Sequence, residues 1–306
     1  MGAPTERLVD TNGVRLRVVE AGEPGAPVVI LAHGFPELAY SWRHQIPALA
    51  DAGYHVLAPD QRGYGGSSRP EAIEAYDIHR LTADLVGLLD DVGAERAVWV
   101  GHDWGAVVVW NAPLLHADRV AAVAALSVPA LPRAQVPPTQ AFRSRFGENF
   151  FYILYFQEPG IADAELNGDP ARTMRRMIGG LRPPGDQSAA MRMLAPGPDG
   201  FIDRLPEPAG LPAWISQEEL DHYIGEFTRT GFTGGLNWYP QLRPQLGDHG
   251  RPRRQDDLRA LVVHCGHSRS RLDVHPHRPR CGGDLRPVSR GADRRGRSLA
   301  AAGTSR

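Results

Sequence analysis

The run Arg96-Ala-Val-Trp-Val100, followed at once by Gly101-His102-Asp103-Trp104-Gly105, constrains this chain more than any other stretch. A short apolar segment reads as a strand, and the apolar residues Ala106–Leu115 behind it read as a helix. Glycines two places before and two places after Asp103 permit a backbone too crowded for a side chain. That is the requirement of a sharp strand-to-helix turn with a reactive group at its tip. A carboxylate in that place can displace at an sp³ carbon and form an ester on the protein itself. The bland alternative is a surface loop with the same five residues, since short motifs also arise by chance.

The surrounding chain supports the strand–turn–helix reading. Leu8–Thr11 and Val14–Glu20 flank Asn12-Gly13, a hairpin signal. Pro27–Ala32 and His55–Pro59 are short continuous apolar runs, as expected of strands buried on both faces. Leu81, Leu85, Leu88, Leu89 and Val92 keep helical spacing before Gly93. Ala121–Val128 reads as a further strand. Strands alternating with helices predict an α/β fold, a mostly parallel sheet covered on both faces. Residues 130–238 break this rhythm with short helical stretches such as Ser216–Thr228, rich in Pro, Gly, Arg and aromatics. The expected organisation is an α/β core over 1–130, an inserted helical cap over 131–238, and a third region over 239–306.

A chain of 306 residues can bury a substantial core. The formal charge of −1 argues for neither a nucleic-acid nor an anionic-membrane partner. No apolar run reaches the roughly 18 residues of a membrane span, and the first residues lack a signal-peptide layout, so a cytoplasmic location is expected. Cys265 and Cys281 define no disulfide framework; Cys265-Gly-His267 is a close pair without further metal-ligand spacing, so neither metal nor cofactor is expected.

Three motifs together carry a resemblance. His33-Gly34-Phe35-Pro36, Asp60-x-Arg62-Gly-x-Gly65 and Gly101-His-Asp-Trp-Gly105 occur in the order and context of α/β-hydrolase-fold epoxide hydrolases. Phe151-Tyr-Ile-Leu-Tyr-Phe-Gln-Glu-Pro-Gly160 and Gly231-Phe-Thr-Gly-Gly-Leu-Asn-Trp-Tyr239 look like the two cap segments that each supply a tyrosine in that family. The resemblance implies that Asp103 attacks an epoxide carbon while Tyr152 and Tyr239 hydrogen-bond the ring oxygen and protonate it. A poor alkoxide leaving group needs such a donor. Tyr155 competes with Tyr152, but the Phe-Gln-Glu-Pro-Gly anchor lies in the family's place relative to Tyr152. The amides of Phe35 and Trp104 are expected to form the oxyanion hole when water attacks the ester. His33, Gly34, Pro36 and His102 are read as loop and pocket support, and the Trp104 ring as pocket lining. The Asp60–Gly65 segment is read as a turn scaffold without a catalytic role, in which Asp60 and Arg62 can pair locally. The substrates implied are a small epoxide and water. A haloalkane or haloacid dehalogenase shares an aspartate at this turn, but halide needs no proton donor, which sets the tyrosine pair against it.

The resemblance runs from residue 1 to 239 and stops. Residues 240–306 hold 15 Arg, 6 Asp and no Glu, a charge of +9 against −10 for the rest. None of the chain's 23 aromatic residues lies there. The family's histidine base and its acid, in Gly-x-x-His-Trp and Gly-x-x-Asp contexts, do not occur in this stretch; His249, His264, His267, His275, His277, Asp248 and Asp273 all lack the expected neighbours. Leu258–Val263 can serve as the next strand, with Asp273 as a candidate acid. The stretch reads as the right gene in the wrong frame. Codons permitted for Pro240–Gly250, shifted by one base, spell Arg-Asn-Phe-Asp-Arg-Asn-Trp-Glu-Thr-Thr, which continues Asn237-Trp-Tyr239 in the family manner. The same shift permits Gly-Thr-Ala-Asp-Pro-Val over Gly266–Leu272 and Gly-Ala-Gly-His-Trp-Leu around Gly296–Ala300. A rival reading, nucleic-acid binding by the scattered Arg, lacks an aromatic platform or a basic helix.

Overall fold

The structure is a computed structural model; it describes residues 2–130, 136–179, 187–242 and the strand at 260–262, all within one compact unit spanning Met1–Ser270. Strands β1 (Thr5–Thr11) and β2 (Val14–Ala21) form the hairpin around Asn12-Gly13. Next come β3 (Val28–Ala32), α1 (Gln45–Asp51), β4 (His55–Pro59) and α2 (Ile78–Asp91). Then follow β5 (Ala97–His102), α3 (Trp104–Leu115) and β6 (Val120–Leu126). The sheet order is β1-β2-β4-β3-β5-β6-β7, with β7 at Ala260–Val262. β1, β2 and β4 pair antiparallel, and every pairing from β4 through β3, β5 and β6 to β7 is parallel. The strand expected around Leu258–Val263 is therefore present at its centre, with Val123 opposite Ala260. The candidate acid Asp273 and the tail histidines lie outside the described residues.

β3 shows why its sequence is apolar throughout. Val28, Ile30 and Ala32 face one buried cluster, shared with Leu85 and Leu88 of α2 and Val108 of α3. Val29 and Leu31 face the other, with Ile46 and Ala50 of α1 and with Trp42. Helices thus cover both faces, as the alternation predicts. Helix α1 had no periodic signal to reveal it: it is two turns long, and its Pro47 is tolerated in the first turn, where no N–H partner is needed. Helix α2 starts at Asp77, whose carboxylate accepts from the Arg80 N–H at 2.9 Å.

After β6 the chain is helical: α4 (Pro138–Phe146), α5 (Tyr152–Tyr155), α6 (Ile161–Gly168), α7 (Pro170–Gly179), α8 (Gln187–Leu194), α9 (Phe201–Arg204), α10 (Gln217–Thr230) and α11 (Thr233–Leu236). Ser216 opens α10 with a capping box to Glu219, and Leu220, Tyr223 and Phe227 bury one face. Phe156, Leu166, Phe227 and Phe232 continue the core cluster that begins on the sheet. These helices therefore share one hydrophobic core with the sheet and sit over the strand ends that carry Asp103.

The Asp60–Gly65 segment is a scaffold, but Asp60 and Arg62 do not pair with each other. Asp60 accepts from the amides of Ala39 (2.9 Å) and Gly66 (3.0 Å) and from Arg17 (2.9 Å). Arg62 forks onto Asp84 of α2 at 2.8 and 2.6 Å and donates to the Ala75 carbonyl at 2.8 Å. Each finds partners elsewhere in the chain, Asp60 on β2 and its own turn and Arg62 on α2. Proximity in sequence misled here.

Candidate active site

Asp103 stands between β5 and α3 with φ 52° and ψ −119°, a backbone state that costs a non-glycine residue energy and persists only where its surroundings enforce it. The two glycines allow it. A Cβ on Gly101 would lie 2.2 Å from the Gly105 carbonyl oxygen, and one on Gly105 would lie 2.1 Å from that of Ala32. The turn is therefore packed directly against β3, and the expected strand–turn–helix is observed.

The carboxylate of Asp103 accepts from the Phe35 amide, which reaches Oδ1 at 3.0 Å. The neighbouring Trp104 amide also favours its charged form. Burial raises the Asp103 pKa, and the charge of Glu37 adds to the rise; the two amides and His102 oppose it. The loop that presents Phe35 is tied down from both sides. His33 is fully buried: its Nδ1 meets the Gly34 carbonyl at 2.9 Å and its Nε2 meets the Gln61 amide at 2.9 Å. The second contact makes Nε2 an acceptor, so the proton sits on Nδ1 and the ring is neutral, as burial also dictates. The Phe35–Pro36 peptide is cis. Gly34 donates its N–H to Glu37 Oε2 at 2.7 Å.

Glu37 is a participant that the motif reading passed over. It pairs with His102 Nδ1 at 3.0 Å, one residue before Asp103. Burial favours the neutral ring, yet the Glu37 hydrogen bond and charge raise the His102 pKa. Its signal was the fifth residue of His33-Gly-Phe-Pro-Glu37, but a carboxylate in a loop does not announce a partner 65 residues away.

Above this floor sit the cap tyrosines. Tyr239 is buried, ringed edge-on by Phe156 (4.9 Å), Trp104 (5.1 Å) and Phe35 (5.6 Å between centroids). Tyr152 packs on Phe156 and Phe201 and lies 6.4 Å from Tyr239. Burial and the Asp103 charge push the Tyr152 pKa up to about 12 and that of Tyr239 well above its ordinary value. Both phenols are therefore protonated at neutral pH, and the Asp103 charge acts on each. Tyr155 is different: its hydroxyl donates to Glu165 at 2.9 Å, away from this group. Gln157, from the Phe-Gln-Glu-Pro-Gly anchor, joins the two tyrosine segments. Its Nε2 donates to the Ile153 carbonyl (3.0 Å) and to the Tyr239 carbonyl (2.8 Å), while its buried Oε1 has no partner among the described residues.

A buried carboxylate on a strand–turn–helix tip, the Phe35 amide on its oxygen and a parallel sheet behind it are the arrangement of an α/β-hydrolase. The family described as alpha/beta hydrolase fold matches residues 27–154. Epoxide hydrolase 2 of Siraitia grosvenorii is 40% identical over 232 residues, 76% of this chain and 70% of that protein. Epoxide hydrolase B of Mycobacterium tuberculosis is 37% identical over 270 residues, covering 77% and 76%. The crystal structure of epoxide hydrolase A from Mycobacterium thermoresistibile superimposes with a TM-score of 0.81 at 70% identity, covering 86% of this chain and 82% of that one. The chain belongs to the epoxide hydrolases of the α/β-hydrolase fold.

Proposed function

We propose that this chain opens epoxides at Asp103 and then holds the product as an ester. The observation that carries the reading is the buried Asp103 carboxylate, held by the Phe35 amide at 3.0 Å, beside the packed phenols of Tyr152 and Tyr239. The free carboxylate oxygen attacks a ring carbon and a C–O bond forms. The ring C–O bond breaks with its electron pair on oxygen, which takes a proton from a cap tyrosine. The products are a β-hydroxyalkyl ester of Asp103 and a tyrosinate, which regains its proton from water.

Ester cleavage needs a base to take the proton of the attacking water, while the Phe35 and Trp104 amides hold the oxyanion. Residues 240–306 supply neither the family's histidine nor its acid in context. The reading that supports all features of this stretch is a one-base frame change at Tyr239–Pro240, which accounts together for the loss of Glu and aromatics and for the family-like motifs permitted in the shifted frame. Ring opening then proceeds and ester hydrolysis stalls.

Incubation with styrene oxide followed by intact-protein mass spectrometry tests this. One added epoxide mass per chain is expected, with diol release well below one equivalent. Steady multiple-turnover diol release overturns the stalled-ester reading, and absence of both adduct and diol overturns ring opening. Sequencing the gene across the Tyr239 codon tests the frame: if deleting one base there yields no continuous family-like frame, that reading is wrong.

A further inference from the structure

We propose that Glu165 is the residue positioning Tyr152. Its carboxylate clips α5, the turn that carries Tyr152, to α9, whose Phe201 ring seats that phenol. This role rests on the reading that Asp103 opens epoxides with Tyr152 on the ring oxygen.

Tyr152 has little of its own to hold it. It opens the single turn α5, whose N-terminus has no side-chain cap, and it is only half-buried. Its ring is placed by neighbours instead. Phe151 (5.4 Å between centroids) and Phe156 (5.8 Å) flank it along the chain, whereas Phe201 (5.9 Å) comes from α9. Phe201 is buried and also meets Phe156 edge-on at 5.1 Å. A one-turn element holds a reacting group in place only when its supporting contacts lock it. The position of Tyr152 therefore depends on what fixes α5 against α9.

Glu165, in α6, makes that junction. Its Oε2 accepts from the Tyr155 hydroxyl at 2.9 Å and from the Phe201 amide at 3.0 Å, and its Oε1 accepts from the Ile202 amide at 2.8 Å. One side chain thus bonds the last residue of α5 and the first two of α9. A carboxylate, an acceptor on both oxygens, is the group that three donors call for. Gly200 lets it come so close, since a Cβ there would lie 2.3 Å from Glu165 Oε1. The far end of α9 is fastened too. Arg204, 4% exposed, donates to the carbonyls of Asp199 (3.0 Å), Arg192 (3.1 Å) and Ala195 (2.6 Å) and stacks on Phe150 at 4.0 Å. α9 is therefore a fixed body, and Glu165 supplies the hydrogen bonds that tie α5 to it. The same contacts account for Tyr155, whose hydroxyl is committed to the clip. Without the carboxylate, α5 is free to shift, and a displacement of about 1 Å takes a phenol away from an oxygen whose place Asp103 sets.

The test is the rate of Asp103 adduct formation with styrene oxide, read by intact mass in single-turnover conditions. Tyr152→Phe should slow it by at least about 10-fold, with Tyr239 still present. Glu165→Ala should slow it by about 10-fold, and Glu165→Gln, which keeps one acceptor oxygen, should recover part of the rate. Gly200→Ala should match Glu165→Ala, because the backbone there (φ −70°, ψ 177°) accepts alanine and only the approach of the carboxylate is blocked. Tyr155→Phe should cost about 3-fold, the size of one hydrogen bond. None of these changes should cost anything further on top of Tyr152→Phe, because they act through its hydroxyl. A Glu165→Ala or Gly200→Ala cost that is the same with and without that hydroxyl marks a purely structural role and overturns the assignment. So does the absence of any cost in either variant. If Glu165→Ala fails to fold by near-ultraviolet circular dichroism, Gly200→Ala and Tyr155→Phe decide by the same comparison. A Tyr152→Phe variant at the wild-type rate removes the phenol that Glu165 is said to place, yet leaves ring opening at Asp103 standing. A wild-type chain that forms no adduct, or an Asp103→Asn variant that still does, strikes the ring-opening reading itself.

Discussion

At the scale of the residue, Asp103 carries two costs, a φ of 52° and a charge in a buried site. Its folded-state pKa is raised, so the folded chain holds the proton more tightly than the unfolded chain does. The sign follows directly: ionised Asp103 destabilises the fold above its folded pKa, and the penalty disappears as pH falls below it. Asp103→Asn should therefore raise Tm at pH 7 while reducing adduct formation by on the order of 10⁴-fold or more, the scale of a lost hydrolase nucleophile. Thermal melts and intact mass check the two halves; an unchanged or lower Tm contradicts the electrostatic account. Ring opening needs the carboxylate, so its rate should rise with pH through a midpoint above the ordinary aspartate range and then level off. A midpoint at or below that range contradicts the raised pKa. This residue was legible in the sequence because its determinants, two glycines and a strand, lie within a few positions of it. The Glu37–His102 and Arg62–Asp84 pairs were not legible, because side chains 65 and 22 residues apart meet only once the sheet has formed.

At the scale of the element, the buried Arg62–Asp84 pair joins the turn after β4 to α2. Both side chains are nearly inaccessible, at 2% and 3%. Burial raises the Asp84 pKa in spite of the Arg62 fork, so desolvation outweighs the ion pair. Removing one partner is a different matter, because it leaves an uncompensated charge. Asp84→Ala should cost about 3–5 kcal/mol in urea unfolding, whereas the double change Arg62→Met with Asp84→Leu should cost much less. Equal losses in the two variants would show that packing, not the stranded charge, sets the cost. Gln157 presents the reverse balance. Its two hydrogen bonds contribute about 1 kcal/mol each, while its unpartnered Oε1 costs about 1–3 kcal/mol, so the sum is close to zero. Gln157→Met should therefore leave Tm nearly unchanged and slow adduct formation by about 10-fold through the freed tyrosine segments. A large stability loss with an unchanged rate contradicts the clip. The sequence showed the anchor motif but not this function, since one amide reaching two carbonyls 86 residues apart depends on how α5 packs against the Tyr239 turn.

At the scale of the whole molecule, the sheet is complete from β1 to β6 and continues into the three-residue β7. On the α1 face, Val98, Val100 and Leu126 remain only half-buried, whereas Val29 and Leu31 of β3 are fully covered. Covering is therefore densest over β3 and β4 and thins toward β5 and β6, the side to which the chain after residue 239 contributes. The composition changes abruptly after Tyr239. One apolar run beyond it, Leu258–Val263, was legible as a strand and is seen as β7 beside β6. The charges add a colloidal consequence. A segment of +9 joined to one of −10 attracts the opposite segment of other copies, and a net charge near zero does little to prevent it. On the proposed frame change, a one-base deletion at Tyr239 should thus change two measurements together. Diol release should pass from well below one equivalent to continuous turnover, and the sample should stay monodisperse in low salt where the present chain associates. Association of the present chain should also fall as salt is raised, since screening shortens the reach of opposite charges to about 10 Å at 0.1 M. If the reframed chain turns over continuously but the present chain already does so, the tail supplies a base of its own. If neither does, the block lies at Asp103 and its phenols rather than in the exchanged segment.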